Sequence, residues 1–136
     1  MRYNRIFLDT AFIQALLNKK DEFHEKAKSL AHHLREAQEV WITEAVLTEI
    51  GNALSKIDRK RAVFFIKNCY ATPNMNVIQV DTELFDRALA LYEKYDDKEW
   101  GMTDCISITV MKEKKLLVSF TTDHHFIQAG FEIVLK

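Results

Sequence analysis

Short, uninterrupted apolar runs alternate along this chain with longer stretches whose apolar residues recur at helical spacing. Ile6-Phe7-Leu8 stops at Asp9 and is followed by Phe12, Leu16 and Leu17 among helix-forming residues, which predicts a strand and then a helix. Asp21 is placed to cap one long helix in which Phe23, Ala27, Leu30, Ala31 and Leu34 share a face. Val40-Trp41-Ile42 is a second short run, and Thr43 caps a helix carrying Val46, Leu47, Ile50, Leu54 and Ile57. Asp58 opens a further helix through Val63, Phe64, Phe65 and Ile66, closed by Pro73-Asn74. Val77-Ile78-Gln79-Val80 returns to strand character. Asp81 or Thr82 then starts a helix with Leu84, Phe85, Ala88, Leu89, Leu91 and Tyr92, and the polar stretch Asp96-Asp97-Lys98-Glu99 is a surface loop.

Two competing signals meet in Met102 to Met111. Ile106, Ile108, Thr109 and Val110 carry strand propensity, but there is no alternation, Thr103-Asp104 resembles a helix start, and Lys112-Glu113-Lys114-Lys115 continues in helical style. Apolar residues on all sides predict a buried central helix. Leu116 to Phe120 reads as a strand, Thr121 or Thr122 as the cap of a short helix ending at Gly130, and Glu132 to Leu135 as a last strand. Strands alternating with amphipathic helices, without hairpin signals, predict a parallel α/β sheet covered on both faces.

Composition narrows the possibilities. The 136 residues, 48% hydrophobic, suffice for one domain with a substantial core. Three glycines and one proline are too little turn chemistry for a sandwich of many short strands. A net charge of -1, from 19 Lys plus Arg and 20 Asp plus Glu, excludes a polybasic protein that grips nucleic acid by bulk charge. Cys69 and Cys105 lack CxxC spacing, so neither a disulfide framework nor a thiolate zinc site is indicated, and a reducing cytoplasm is the natural setting. Ile6 to Leu8 is too short for a signal segment or a membrane span.

Four acids are badly placed for mere solubility. Asp9 abuts the first apolar run, Glu49 lies among the apolar positions of a helix with Ala45 and Ala53 around it, Asp104 opens a largely apolar helix, and Asp123 follows the Leu117 to Phe120 strand. Singly, Asp9, Asp104 and Asp123 read as helix caps and Glu49 as a helix-edge surface residue. Asp9 and Asp123 lie at or just after the carboxyl ends of strands, where functional groups gather, and several carboxylates brought together would repel one another and have raised pKa values unless a cation neutralised them. Oxygen-only ligands suit Mg²⁺ or Mn²⁺, which also bind phosphate oxygens.

Phe7-Leu8-Asp9-Thr10, Thr48-Glu49-Ile50, Thr103-Asp104-Cys105-Ile106-Ser107, and Thr121-Thr122-Asp123-His124-His125-Phe126 through Ala129-Gly130-Phe131 closely resemble the PIN-domain ribonuclease family, in the same order and over essentially the whole chain. The terminal T-x-D-x-H-F-x-x-x-G-F string is the most specific piece. The resemblance implies a three-layer α/β/α fold with a central parallel sheet of about four to five strands and Mg²⁺- or Mn²⁺-dependent cleavage of RNA. It implies Asp9 and Asp104 as the main metal ligands, with Glu49 and Asp123 completing the site, partly through water. Thr10 and Thr121 match small hydroxyl residues that the family places beside the acids. In-line attack by metal-activated water, leaving a 5′-phosphate and a 3′-hydroxyl, is implied as well.

The rest of the chain adds less. The histidines, His24, His32, His33, His124 and His125, form no i, i+4 pair and no HExxH, which argues against a zinc hydrolase; His124 and His125 are expected to pack or cap at the edge of the last helix. Cys105 reads as a small buried residue, and Ser107 lacks any G-x-S-x-G context. Arg59, Lys60, Arg61 and Lys67 form the clearest basic cluster, either a contact for RNA phosphates or a solvated helix face. Phe64-Phe65 and Phe12-Ile13 exceed what one helix face buries, which suits core packing or a partner; the resemblance implies homodimers whose helical surface is also held by an antitoxin. The expectation is therefore an endoribonuclease that acts as the toxin of a type II toxin-antitoxin pair, against a stand-alone nuclease of RNA processing or turnover, or a non-catalytic module that holds a metal or a basic peptide. Without the four acids, 16 acids face 19 bases, so a concentrated acidic pocket would sit in a mildly basic body.

Overall fold

The computed structural model describes residues 3–135. Five strands, β1 (Arg5–Leu8), β2 (Glu39–Thr43), β3 (Met75–Ile78), β4 (Val118–Phe120) and β5 (Glu132–Val134), form one parallel sheet in the order β3-β2-β1-β4-β5. The registers pair Phe7 with Trp41 on one side of the central strand and with Ser119 on the other.

Alternation along β1 divides the core. Ile6 and Leu8 point to one face, Phe7 to the other, and all three are buried because β1 is covered on both sides. On the first face Ile6, Leu8, Val40, Ile42 and Phe120 pack against Phe12 and Ile13 of α1 (Thr10–Leu17) and against Val46, Ile50 and Leu54 of α4 (Glu44–Leu54). The short helices α2 (His24–Leu30) and α3 (His32–Glu36) and the longer α5 (Arg59–Ala71) close that layer. On the second face Phe7 and Ile133 meet α6 (Thr82–Lys94), α7 (Met102–Glu113) and Phe126 of α8 (His125–Gln128). This is the expected three-layer arrangement.

α7 is the expected buried helix. Cys105, Ile106, Ser107, Ile108, Val110 and Met111 are all buried, so tertiary packing outweighs the strand propensity of its β-branched residues. Its C-terminus closes with the Leu116 amide donating to the Met111 carbonyl and Lys115 in the left-handed region (φ 57), a Schellman closure in which glycine is the usual residue. The Arg5 guanidinium clasps the same end, donating to the Lys114 and Lys115 carbonyls at 3.0 and 3.1 Å while Nε holds Glu39.

The structure departs from the pattern in several places. The stretch after Asp21 is two short helices, because near Ala31 the bonding tightens: the Ala31 amide donates to the Lys28 carbonyl and the Ser29 hydroxyl donates to the Lys26 carbonyl. Asp21 instead accepts the Phe23 amide in a turn. Helix α4 ends at Leu54 and leaves Ile57 outside it, 57% exposed. β3 begins at Met75 and excludes Gln79 and Val80. Neither Thr121 nor Thr122 caps α8, since Asp123 accepts the His125 amide there. The caps Thr43, Asp58 and Asp81 are as expected, each accepting a backbone amide three residues on. Among the described residues no helix is long and apolar enough to cross a membrane.

Candidate active site

Asp9 immediately follows the central strand and stands at the N-cap position of α1, but its side chain caps nothing. It turns into the protein, where Thr121 Oγ1 donates to its Oδ2 at 2.8 Å, and the residue is 4% exposed. Burial pushes its pKa up to about 7; the charges of Asp104 and Asp123 add to this, while the Thr121 hydroxyl and the Thr10 backbone oppose it. Thr121 follows β4, the neighbour of β1, so two adjacent strand ends place hydroxyl and carboxylate together. The same hydroxyl accepts the Asp123 amide at 3.0 Å.

Packing of α1 against α4 brings Thr10 to Glu49, and Thr10 Oγ1 donates to Glu49 Oε1 at 2.6 Å. Glu49 is otherwise exposed on α4. Asp104 enters from the opposite face of the sheet, in the first turn of α7, where its Oδ2 accepts the Gly101 amide at 3.1 Å. Its pKa is raised by burial and by Asp123, against hydrogen bonds from His125 and Gly101. Asp123 Oδ1 accepts the His125 amide at 2.9 Å.

His125 is the residue that sequence reasoning left out of the site. Its Nδ1 lies 2.9 Å from Asp104 Oδ2 and 3.2 Å from Asp123 Oδ1. Burial disfavours charging the ring, but the Asp104 hydrogen bond and the charges of Asp123, Asp104 and Glu99 outweigh it and raise the pKa. The D-x-H spacing was the available signal: an Asp that accepts the amide two residues on folds the following side chain back over its own carboxylate.

The six expected residues thus gather around the carboxyl ends of β1 and β4, with Asp104 linked to Asp123 through His125. Ligand atoms of Asp104, Asp123 and His125 lie within 4.8 Å of one another, whereas Asp9 and Glu49 are joined to them through Thr121, Thr10 and charge. Among the described residues no Lys or Arg forms an ion pair with any of the four acids. A set of mutually repelling oxygen donors, with His125 the side-chain base paired to two of them and no Lys or Arg, suits a hard divalent ion. The basic cluster is elsewhere: Arg59, Lys60 and Lys67 are exposed on α5, while Arg61 is half-buried, paired with Asp58 and donating to the Leu17 carbonyl at the far end of α1.

This parallel sheet, with Asp9 and Thr121 brought together just beyond the carboxyl ends of β1 and β4, has the fold of a known class. The PIN domain family model matches residues 6–132, and the chain belongs to that family. Among individual proteins it is similar to the 23S rRNA-specific endonuclease VapC20 of Mycobacterium tuberculosis, with 29% identity over 126 residues, 93% of this chain and 95% of that protein. The crystal structure of VapC20, described as a Sarcin-Ricin loop cleaving toxin, superposes with a TM-score of 0.82 at 28% identity, covering 93% of this chain and 95% of that one. VapBC2 from Rickettsia felis, solved bound to a DNA fragment from its promoter, shares the fold at 12% identity with a TM-score of 0.63, covering 96% and 97% of the two chains.

Proposed function

We propose that this chain is a metal-dependent endoribonuclease that hydrolyses RNA phosphodiester bonds, and that it is the toxin of a type II toxin-antitoxin pair. The carrying observation is that Asp104 and Asp123 lie together and Asp9, tied to Asp123 through Thr121, is buried with its pKa pushed up to about 7, at a place where no Lys or Arg neutralises them. The likeness to VapC20 across nearly the full length of both proteins supports the substrate class and the toxin role. Asp9 and Asp104 would be the main ligands of a Mg²⁺ or Mn²⁺ ion, with Glu49 and Asp123 completing the set. When bound, such an ion polarises the phosphodiester, lowers the pKa of a water and stabilises the leaving oxygen.

The chain's own groups prepare that chemistry. Thr121 holds one oxygen of Asp9 and the backbone of Asp123, so the two acids move together. Thr10 orients Glu49, which is otherwise exposed to solvent. Arg59, Lys60 and Lys67, exposed on α5, would supply positive charge for the RNA phosphate backbone, whereas Arg61 is committed to Asp58 and the Leu17 carbonyl. The same reading takes the chain as a single PIN domain, homodimeric and cytoplasmic, held inactive by a cognate antitoxin.

Incubating the purified protein with structured and single-stranded RNA and Mn²⁺ tests the activity. The wild type cleaves, excess chelator stops cleavage, Mn²⁺ restores it, and the Asp9→Asn/Asp104→Asn double variant is inert. Equal cutting by wild type and double variant would remove the nuclease reading. Growth arrest on expression, absent with the double variant, separates a toxin from a stand-alone nuclease of RNA processing.

A further inference from the structure

We propose that His125 is a positioning residue: its Nδ1–H sets which oxygens of Asp104 and Asp123 face the cation, and the imidazole does not itself bind the ion. This rests on the reading of the acids as a divalent-cation site. Asp123 Oδ1 accepts the His125 backbone amide, which folds the ring back over the carboxylates. Nδ1 then stands between Asp104 Oδ2 at 2.9 Å and Asp123 Oδ1 at 3.2 Å. Ionised carboxylates only accept, so the shared nitrogen carries the hydrogen. Nδ1 in that state has no lone pair to give a metal, and it is Nδ1, not Nε2, that faces the two carboxylates.

The remaining bonds sort the oxygens. Asp104 Oδ2 also takes the Gly101 amide at 3.1 Å, and Asp123 Oδ1 takes both donors of His125. Each carboxylate therefore has one oxygen committed to the chain, while Asp104 Oδ1 and Asp123 Oδ2 accept no hydrogen bond among the described residues. Partners of this kind, which orient ligands without being ligands, typically change metal affinity by about 10–100-fold when removed. The imidazole is not needed to hold α8 in place, because Phe126 is fully buried and Trp100 Nε1 donates to Gln128 Oε1 at 2.9 Å.

The test uses the full chain, Mn²⁺ alone, and three variants. Calorimetric titration is expected to show His125→Ala and His125→Gln binding Mn²⁺ about 10–100-fold more weakly than wild type. His125→Asn, whose amide nitrogen falls near the position of Nδ1, recovers most of the affinity. Melting of the metal-free variants stays close to wild type, and the electron paramagnetic resonance of bound Mn²⁺ lacks the strong ¹⁴N coupling of a directly ligated imidazole. Such a coupling, or wild-type affinity in all three variants, or equal losses for Asn and Gln, would overturn the inference. If His125→Ala does not fold, the Asn and Gln pair still decides. Failure of the wild type to bind Mn²⁺ would instead overturn the cation site itself, and this inference with it.

Discussion

Asp81 and Asp9 occupy the same local position and do different work. Each follows a strand and stands in extended backbone at the N-cap of a helix, with φ/ψ of -83/176 and -100/162. Asp81, beyond the edge strand β3, is exposed and accepts the Leu84 amide at 2.8 Å. Asp9, at the end of the central strand, is 4% exposed and leaves its helix uncapped in favour of Thr121. The local motif is shared, and the place in the sheet decides: at an edge a carboxylate keeps its water and serves the helix, at the centre neighbouring strand ends enclose it. An uncapped helix and a buried carboxylate are both costs. On the proposed reading, a bound divalent cation would offset the burial of the Asp9 carboxylate.

The largest contrast is expected from Asp9→Asn. RNA cleavage should fall by more than about 100-fold, beyond what losing an orienting contact costs, while the metal-free protein at pH 8 becomes more stable, read by thermal melting. Asp81→Ala should do the reverse, with unchanged cleavage and a stability loss of about 1 kcal/mol.

The pH dependence follows from the direction of the Asp9 shift. Its carboxyl releases its proton near 3.8 when unfolded and near about 7 when folded, so between those values the unfolded state binds fewer protons and stability falls as pH rises. The loss begins above pH 3.8, is complete above about 7, and amounts to at most about 4 kcal/mol for three pKa units. Chemical denaturation of the metal-free protein should show it, Asp9→Asn should remove it, and Mg²⁺ should raise the melting temperature more at pH 8 than at pH 5. Thr121→Val comes next: losing the hydroxyl that opposes the shift should raise the Asp9 pKa further and lower cleavage by about 10-fold. Smallest is Lys115→Gly, at the other end of the sheet, which should add about 0.5–1 kcal/mol by relieving a left-handed residue and leave cleavage untouched.

Much of this was legible in the chain. The strand runs, the buried helix α7 and the caps Thr43, Asp58 and Asp81 follow from periodicity and cap chemistry, because those effects are local. The four acids stood out for the same reason: a carboxylate beside an apolar run is a local anomaly. What sequence reasoning could not supply depended on contacts across the fold. His125 reads as a helix-edge residue until α7 brings Asp104 to it from 21 positions away. Asp9 reads as a cap until Thr121, 112 positions on, competes for its carboxylate. The break near Ala31 and the exposure of Ile57 likewise reflect bonding and packing that outweigh an apolar pattern.

The claim that Asp9 is held for a cation is tested most directly by following its side-chain carboxyl carbon by NMR across pH, in chelator and then in Mg²⁺. The account predicts a transition near about 7 without the metal that moves to lower pH when Mg²⁺ is added. A transition in the ordinary carboxylate range under both conditions would contradict it.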